Sequence, residues 1–282
     1  MFKTVTIVGV GLISGSFALA LRQQGLVERV IGVSRTKASA LKALELGLID
    51  EALPLDEAVA QADLVYVAIP VDTTIPVLQQ VLDQLQDHQV LTDAGSTKEA
   101  LCRHLAHHPK RGRFVAAHPM WGTEYSGPEA AVKDAFRGRA CVICEQERCD
   151  ADALETVEEV YRKIGMHILH MDAAAHDMHA AYVSHISHIT SFALANTVLE
   201  KEKEEDAIFE LAAGGFESTV RLAKSNPAMW VPIFLQNREN VLDVLNEHIS
   251  QLRKFKACLE KENADYLREL IENANKIRKI IQ

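Results

Sequence analysis

The first hydrophobic run, residues 4–8, is short and rich in β-branched side chains, which predicts a strand buried inside a sheet. Gly9-Val10-Gly11 then turns the chain, and apolar residues recur at helical spacing over 12–24 until Gly25. The same alternation repeats downstream. Residues 30–33 predict a strand and 37–46 a helix ended by Gly47. A strand over 64–69 closes at Pro70, and a helix follows over 73–85. Strands over 90–92, 114–117 and 139–144 complete the pattern, the first leading into a turn at 93–97 and the second into His118-Pro119. Strands alternating with helices imply βαβ units and a parallel sheet. Ligands of such sheets collect outside the carboxyl ends of the strands.

After about Met171 the strand pattern stops. Residues 173–200 form a long Ala-rich helical stretch, and the charged segment 201–206 reads as a solvated turn or helix end. Gly214-Gly215 breaks the next helix. Asn226-Pro227 predicts an N-cap with proline at the first helical position. From there to residue 282 the pattern is helical, with Pro232 early enough to be tolerated. The expected architecture is α/β: a Rossmann-type dinucleotide-binding domain over 1–171, then an all-helical substrate and dimerisation domain over 172–282. Long helices of this kind bury one face against a second subunit, so a homodimer is expected.

Composition narrows the partners. Lys and Arg number 30 against 39 Asp and Glu, a net charge of −9, which disfavours nucleic acid and anionic membranes. The basic stretch 103–113 reads as a solvated loop face. Lys3 and the apolar residues after it mimic a signal peptide, but glycines at 9, 11 and 15 interrupt the run at a functional spacing. No other run approaches the ~20 apolar residues of a membrane span. Five cysteines, an odd number, point to a reduced, cytoplasmic protein. Cys141 and Cys144 form a C-x-x-C on a strand, where positions three apart face opposite ways; they read as buried small hydrophobes, not a redox pair.

Four constellations carry chemistry. Gly9 and Gly11 follow a strand and open a helix, as a dinucleotide fingerprint requires, with Ser14 at the third glycine position and Gly15 beside it. At the end of the second strand stand Ser34, Arg35 and Thr36, with no carboxylate until Glu45 to hold a ribose hydroxyl. That favours NADP, with NAD possible and a tolerant polar loop as the alternative. The turns at 93–98 and 118–124 face one crevice. There His118 is either a general base, with Ser96 holding its ring nitrogen, or a loop residue before proline. His185 and His188 share a helix face with Ser184 nearby and His176 and His179 upstream. No Cys or Glu-x-x-His pattern supports a metal there, and polar histidines lining a cleft are the expected reading. Arg221, after the glycine pair, suits a bidentate carboxylate or is an ordinary surface arginine.

In this order the motifs resemble one family, the prephenate/arogenate dehydrogenases of tyrosine biosynthesis. The matching stretches are G-V-G-L-I-x-G-S, D-x-G-S-x-K, H-P-M-x-G-x-E-x-S-G, S-H-x-x-H, and G-G-F-x-x-x-x-R with its following S-x-P-x-M-W. The resemblance spans about residues 3 to 255. It implies an NAD(P)-dependent oxidative decarboxylation, of prephenate to 4-hydroxyphenylpyruvate or of arogenate to tyrosine. By the same match His118 accepts the ring-hydroxyl proton, with an acid limb expected near pH ~6.5, and Ser96 orients His118 and touches the cofactor. Arg221 binds a substrate carboxylate, with Glu124 as its ionic partner and cleft gate. Thr123, His188, Gly214 and Trp230 line the substrate pocket. Ser184 approaches the nicotinamide, and Leu12, Ile13, Ile69 and Pro70 join the glycines and residues 34–36 along the cofactor.

Two positions depart from the family pattern: Ser14 replaces a glycine, and Glu217 stands where some members carry a basic residue. The match leaves no stretch for a fused chorismate mutase or ACT domain, so tyrosine feedback is expected at or near the active site. The rival readings are another two-domain Rossmann dehydrogenase, of the β-hydroxyacid or imine reductase type, and a non-catalytic nucleotide sensor. The former rely on a Lys or Asp in the helical domain, for which no supporting motif is present.

Overall fold

The computed structural model describes residues 1–203 and 208–280. The chain forms two compact units, residues 1–237 and 238–282. In the first, β1 (Phe2–Val8), α1 (Leu12–Gln23), β2 (Val27–Val33), α2 (Lys37–Glu45), β3 (Glu51–Ala52), α3 (Leu55–Val59), β4 (Leu64–Val67), α4 (Val71–Gln84) and β5 (Val90–Asp93) alternate as the periodicity predicts, except that the short β3 and α3 were not expected. Then come α5 (Glu99–Leu105), β6 (Phe114–Pro119), β7 (Ala140–Cys144), α6 (Ala151–Lys163) and β8 (His167–Met171). Among the described residues the eight strands make one sheet, in the order β3-β2-β1-β4-β5-β6-β7-β8. The expectation of a wholly parallel sheet needs one correction: β7 runs antiparallel to β6, and β8 returns parallel to β7. The chain between β6 and β7 has no crossover helix of useful length, so β7 cannot be delivered in the parallel sense.

Side chains alternate across the sheet and build a core on each face. In β4, Leu64 and Tyr66 join one cluster with Phe17, Leu21, Phe136, Val157 and Tyr161; Val65 and Val67 join the other with Leu78, Leu82, Leu91, Leu101 and Phe114. Phe17 stacks on Tyr66 at 3.9 Å between ring centroids, fixing α1 over β1 and β4. Cys102, Cys141 and Cys144 are buried here with free thiols, pushed up by burial, to about 12 for Cys102; the C-x-x-C is core packing.

The basic stretch 103–113 is not a solvated loop face throughout. Its start belongs to α5, and Arg111 and Arg113 are buried. Arg111 donates to the Phe114 carbonyl, while Arg113 binds the Gln89 carbonyl and both oxygens of Asp152. Burial is tolerated because these partners satisfy part of each guanidinium fork.

After β8 the unit is helical. α7 (Ala173–Ala180) passes through a π-helical turn at residues 181–185 into α8 (Ile186–Glu202). Of the charged segment 201–206, residues 204–206 lie outside the described residues. Gly214-Gly215 opens α9 (Gly214–Val220) instead of breaking a helix, and Arg221 begins the short 3₁₀ turn after it. α10 (Pro227–Gln236) starts as predicted: the Asn226 side chain accepts from the Ala228 N–H, and Pro227 sits at the first position. Val71 at the start of α4 packs with Trp230 and Ile233 of α10, so the end of β4 adjoins the helical layer. The second unit consists of α11 (Arg238–Glu260) and α12 (Ala264–Asn275), the latter capped by the Asn263 side chain. No described helix is long and apolar enough to cross a membrane.

Candidate active site

The carboxyl ends of β1, β4, β5 and β6 meet at one edge. At β1, Gly9 has φ +89°, and a Cβ there would lie 2.5 Å from the Ala68 carbonyl oxygen. Only glycine fits this turn. Gly11 is the N-cap of α1 and has open space where a Cβ would point; no acidic side chain occupies the first turn. The first-turn N–H groups and positive dipole end of α1 therefore face open space beside Gly11, the donor set a pyrophosphate needs. Ser14 departs from the usual glycine without disturbing the turn. It is fully buried, donates its hydroxyl to the Gly9 carbonyl, and accepts from the Gly11 N–H at 2.9 Å. Leu12 is buried against the core, and Ile13 is half-buried at the cradle. Ile69 and Pro70 extend from β4 beside it, Pro70 exposed.

At the end of β2, Ser34 donates to the Thr36 carbonyl, and Thr36 caps α2 by accepting from the Ser39 N–H. Arg35 stands exposed between them, on a turn stiffened at both sides.

The β5 turn is built on a buried ion pair. Lys98 bonds Asp93 with both side chains inaccessible to solvent. Asp93 also accepts from the Gly95 and Ala117 N–H groups, tying this turn to β6. His118 ends β6, half-buried. Its Nδ1 lies 2.8 Å from Nε2 of His176 on α7, and His176 Nδ1 lies 2.7 Å from Asp177 Oδ1. Asp177 in turn accepts from the Lys98 and Glu99 N–H groups at 2.7 and 3.0 Å. Thr97 bonds Gln236 of α10. Three bonds from the helical layer thus clasp the turn that carries Ser96. Burial above all holds His118 well below the ordinary imidazole range, lower than the pH ~6.5 expected of a free ring.

Ser96 was the expected partner for the His118 ring nitrogen. The structure gives Nδ1 to His176 instead, and Ser96 is half-buried in the clasped turn. His176 read from sequence as one more cleft histidine, and Asp177 carried no signal, because a His-Asp pair early in a helix is unremarkable until its partner strand is known.

Across the crevice, Arg221 donates to Glu124 at 2.8 Å. The Glu124 carboxyl is held low by its own backbone N–H and by Arg221. Thr123, beside it, accepts from the Tyr125 N–H. His188 stacks on Trp230 at 3.4 Å, with Nδ1 3.1 Å from the Ser184 carbonyl. Trp230 is buried, and its indole N–H has no partner among the described residues, a donor free for a ligand. Ser184 lies on the π-helical turn and Gly214 at the exposed start of α9. Among the described residues no group of three or more His, Cys, Asp or Glu is placed to hold a metal.

A largely parallel sheet with a glycine turn opening a helix and a histidine along the same edge is the arrangement of a dinucleotide-dependent oxidoreductase, the class in which this fold puts the chain. Comparison with known proteins makes the assignment specific. The family models for the prephenate dehydrogenase nucleotide-binding domain and dimerization domain match residues 17–170 and 172–273. Prephenate dehydrogenase of Bacillus subtilis is 32% identical over 99% of this chain and 76% of its own. Cyclohexadienyl dehydrogenase of Zymomonas mobilis is 29% identical over 99% of this chain and 96% of its own. The structure of prephenate dehydrogenase from A. aeolicus with hydroxyphenyl propionate and NAD+ superposes with a TM-score of 0.91 at 31% identity, covering 100% of this chain and 99% of that one. The chain belongs to the prephenate dehydrogenase family, an NAD(P)-dependent oxidoreductase of tyrosine biosynthesis.

Proposed function

We propose that this protein oxidatively decarboxylates a cyclohexadienol of the prephenate/arogenate class, prefers NADP, and works as a cytoplasmic homodimer. His118 is the base. It takes the ring-hydroxyl proton on Nε2, the nitrogen that His176 leaves free. When bound, the nicotinamide supplies the hydride acceptor for the carbon that bore that hydroxyl. The ring carboxylate leaves as carbon dioxide as the ring becomes aromatic.

The chain's own residues set up this step. Gly9, Gly11, Leu12 and Ile13 present the pyrophosphate cradle, with Ile69 and Pro70 beside it. Ser34, Arg35 and Thr36 suit a ribose 2′-phosphate, since Arg35 is exposed and no carboxylate stands at the end of β2. Ser96 and Ser184 are assigned to the nicotinamide end. Arg221 exchanges Glu124 for a substrate carboxylate. Thr123, His188, Gly214 and the free indole N–H of Trp230 complete the pocket. The helical region from 172 onward is assigned to substrate binding and dimerisation.

The observation that carries the proposal is His118, half-buried with its Nδ1 on His176, at the edge of the sheet that bears the glycine turn. The test is nicotinamide reduction by the purified protein, with prephenate and arogenate each paired with NADP and NAD. Turnover fastest with NADP is expected. No turnover in any pairing, from protein that binds NADP, overturns it.

A further inference from the structure

We propose that His176 and Asp177 are positioning residues for His118: they hold its imidazole as the Nδ1–H tautomer and give the imidazolium a counter-charge one ring away. The proposal rests on the reading of His118 as the base.

With a single proton on the His176 ring, the hydrogen-bond chain runs in one direction. Asp177 receives three N–H donors: from Lys98 at 2.7 Å, from Glu99 at 3.0 Å, and from the His176 ring at 2.7 Å. A carboxylate so placed is an acceptor with no proton of its own to give. His176 Nδ1 must therefore carry a hydrogen. Neutral His176 then offers Nε2 as a lone pair, and only an N–H of His118 can meet it at 2.8 Å. His118 is left with its proton on Nδ1 and a lone pair on Nε2, the nitrogen that has no partner among the described residues. That is the form a proton acceptor requires.

The support is rigid. His176 and Asp177 are each 2% exposed. The backbone carbonyl of Asp177 is pinned by the Asn237 amide at 2.7 Å, and Asn237 also contacts His185. Asp177 thereby does two jobs with one carboxylate: it orients the base through His176 and ties down the turn that carries Ser96. When Nε2 takes the hydroxyl proton, positive charge spreads over His118. The His176 ring, polarised by Asp177, stabilises that charge without moving.

The proposal is tested by long-range proton–nitrogen NMR of the nitrogen-15-labelled protein at neutral pH, with His118 assigned through His118→Asn. The wild type is expected to show His118 protonated on Nδ1 and bare on Nε2, and Asp177→Asn to reverse this. A purely structural role for the pair would leave the tautomer unmoved. In turnover, His176→Ala and Asp177→Asn are each expected to lose about 100-fold or more in kcat. NADP affinity should stay within about threefold of wild type. His176→Gln, which keeps an acceptor near the Nε2 position, is expected to recover at least about tenfold over His176→Ala. His118 protonated on Nε2 in the wild type, or kcat of both variants within about threefold of wild type, overturns the proposal. If the wild-type protein turns over neither substrate, the functional reading fails, and the NMR result still judges the His118 tautomer.

Discussion

In the proposed reaction two side chains set the response to pH and the choice of cofactor. His118 accepts a proton only while neutral. Burial lowers its proton affinity, so it stays neutral below the pH at which a free histidine charges. The acid limb of kcat/KM is therefore expected well under pH ~6.5, and a limb at that value would remove His118 as the titrating group. The ring nitrogen expected to meet a serine meets a histidine on another element, because sequence spacing carries no information about which helix crosses which strand end. Arg35 is proposed for the 2′-phosphate from its neighbours alone: it follows a strand, and no carboxylate stands beside it. Arg35→Ala is expected to weaken NADP about 10-fold or more while leaving NAD nearly unchanged, as measured by the two KM values. Equal losses for both would assign Arg35 to the adenine instead.

Among the elements, the turn from β1 to α1 sets nucleotide binding. Gly9 lies at φ +89°, and an added Cβ would meet the Ala68 carbonyl at 2.5 Å and Ile69 Cγ2 at 2.6 Å. Gly9→Ala is expected to cost about 1–3 kcal/mol of stability and to abolish NADP binding, read by thermal melting with and without cofactor. Unchanged melting would show that the turn relaxes freely. This turn was readable because a strand, two glycines and a helix stand in sequence order. α6 and β8 were not anticipated. β8 is short and largely exposed, so it lacks the continuous apolar run of the central strands, whereas α6 carries Ala153, Val157, Val160 and Tyr161 at helical spacing, a signal that was there in the sequence. The glycines at 214 and 215 were read as a helix break and begin a helix instead, since glycine marks a helix boundary without saying on which side the helix lies.

For the molecule as a whole, buried histidines make the fold sensitive to acid. His185 is 1% exposed, and burial, joined by His176 and His188 and opposed by Asp177, lowers it to about 4. The unfolded chain binds that proton near pH ~6.5. Between those values the unfolded state holds more protons, so stability rises with pH and falls on acidification, by up to roughly 1.4 kcal/mol per pH unit for each such group. The melting temperature is expected to drop from about pH 6.5 to 4 and to drop less in His185→Asn. Identical slopes would place the sensitivity elsewhere. Most of the central strands and the helices between them, the glycine turn, the missing carboxylate at β2 and the candidate base were legible in the linear chain, because each depends on neighbours within a few residues. The reversed β7, the burial of Arg111 and Arg113, and the His118–His176–Asp177 chain were decided only in three dimensions. Each joins groups tens of residues apart, and which of them meet is set by how helices pack onto the sheet, a property of the packed whole that no local pattern encodes.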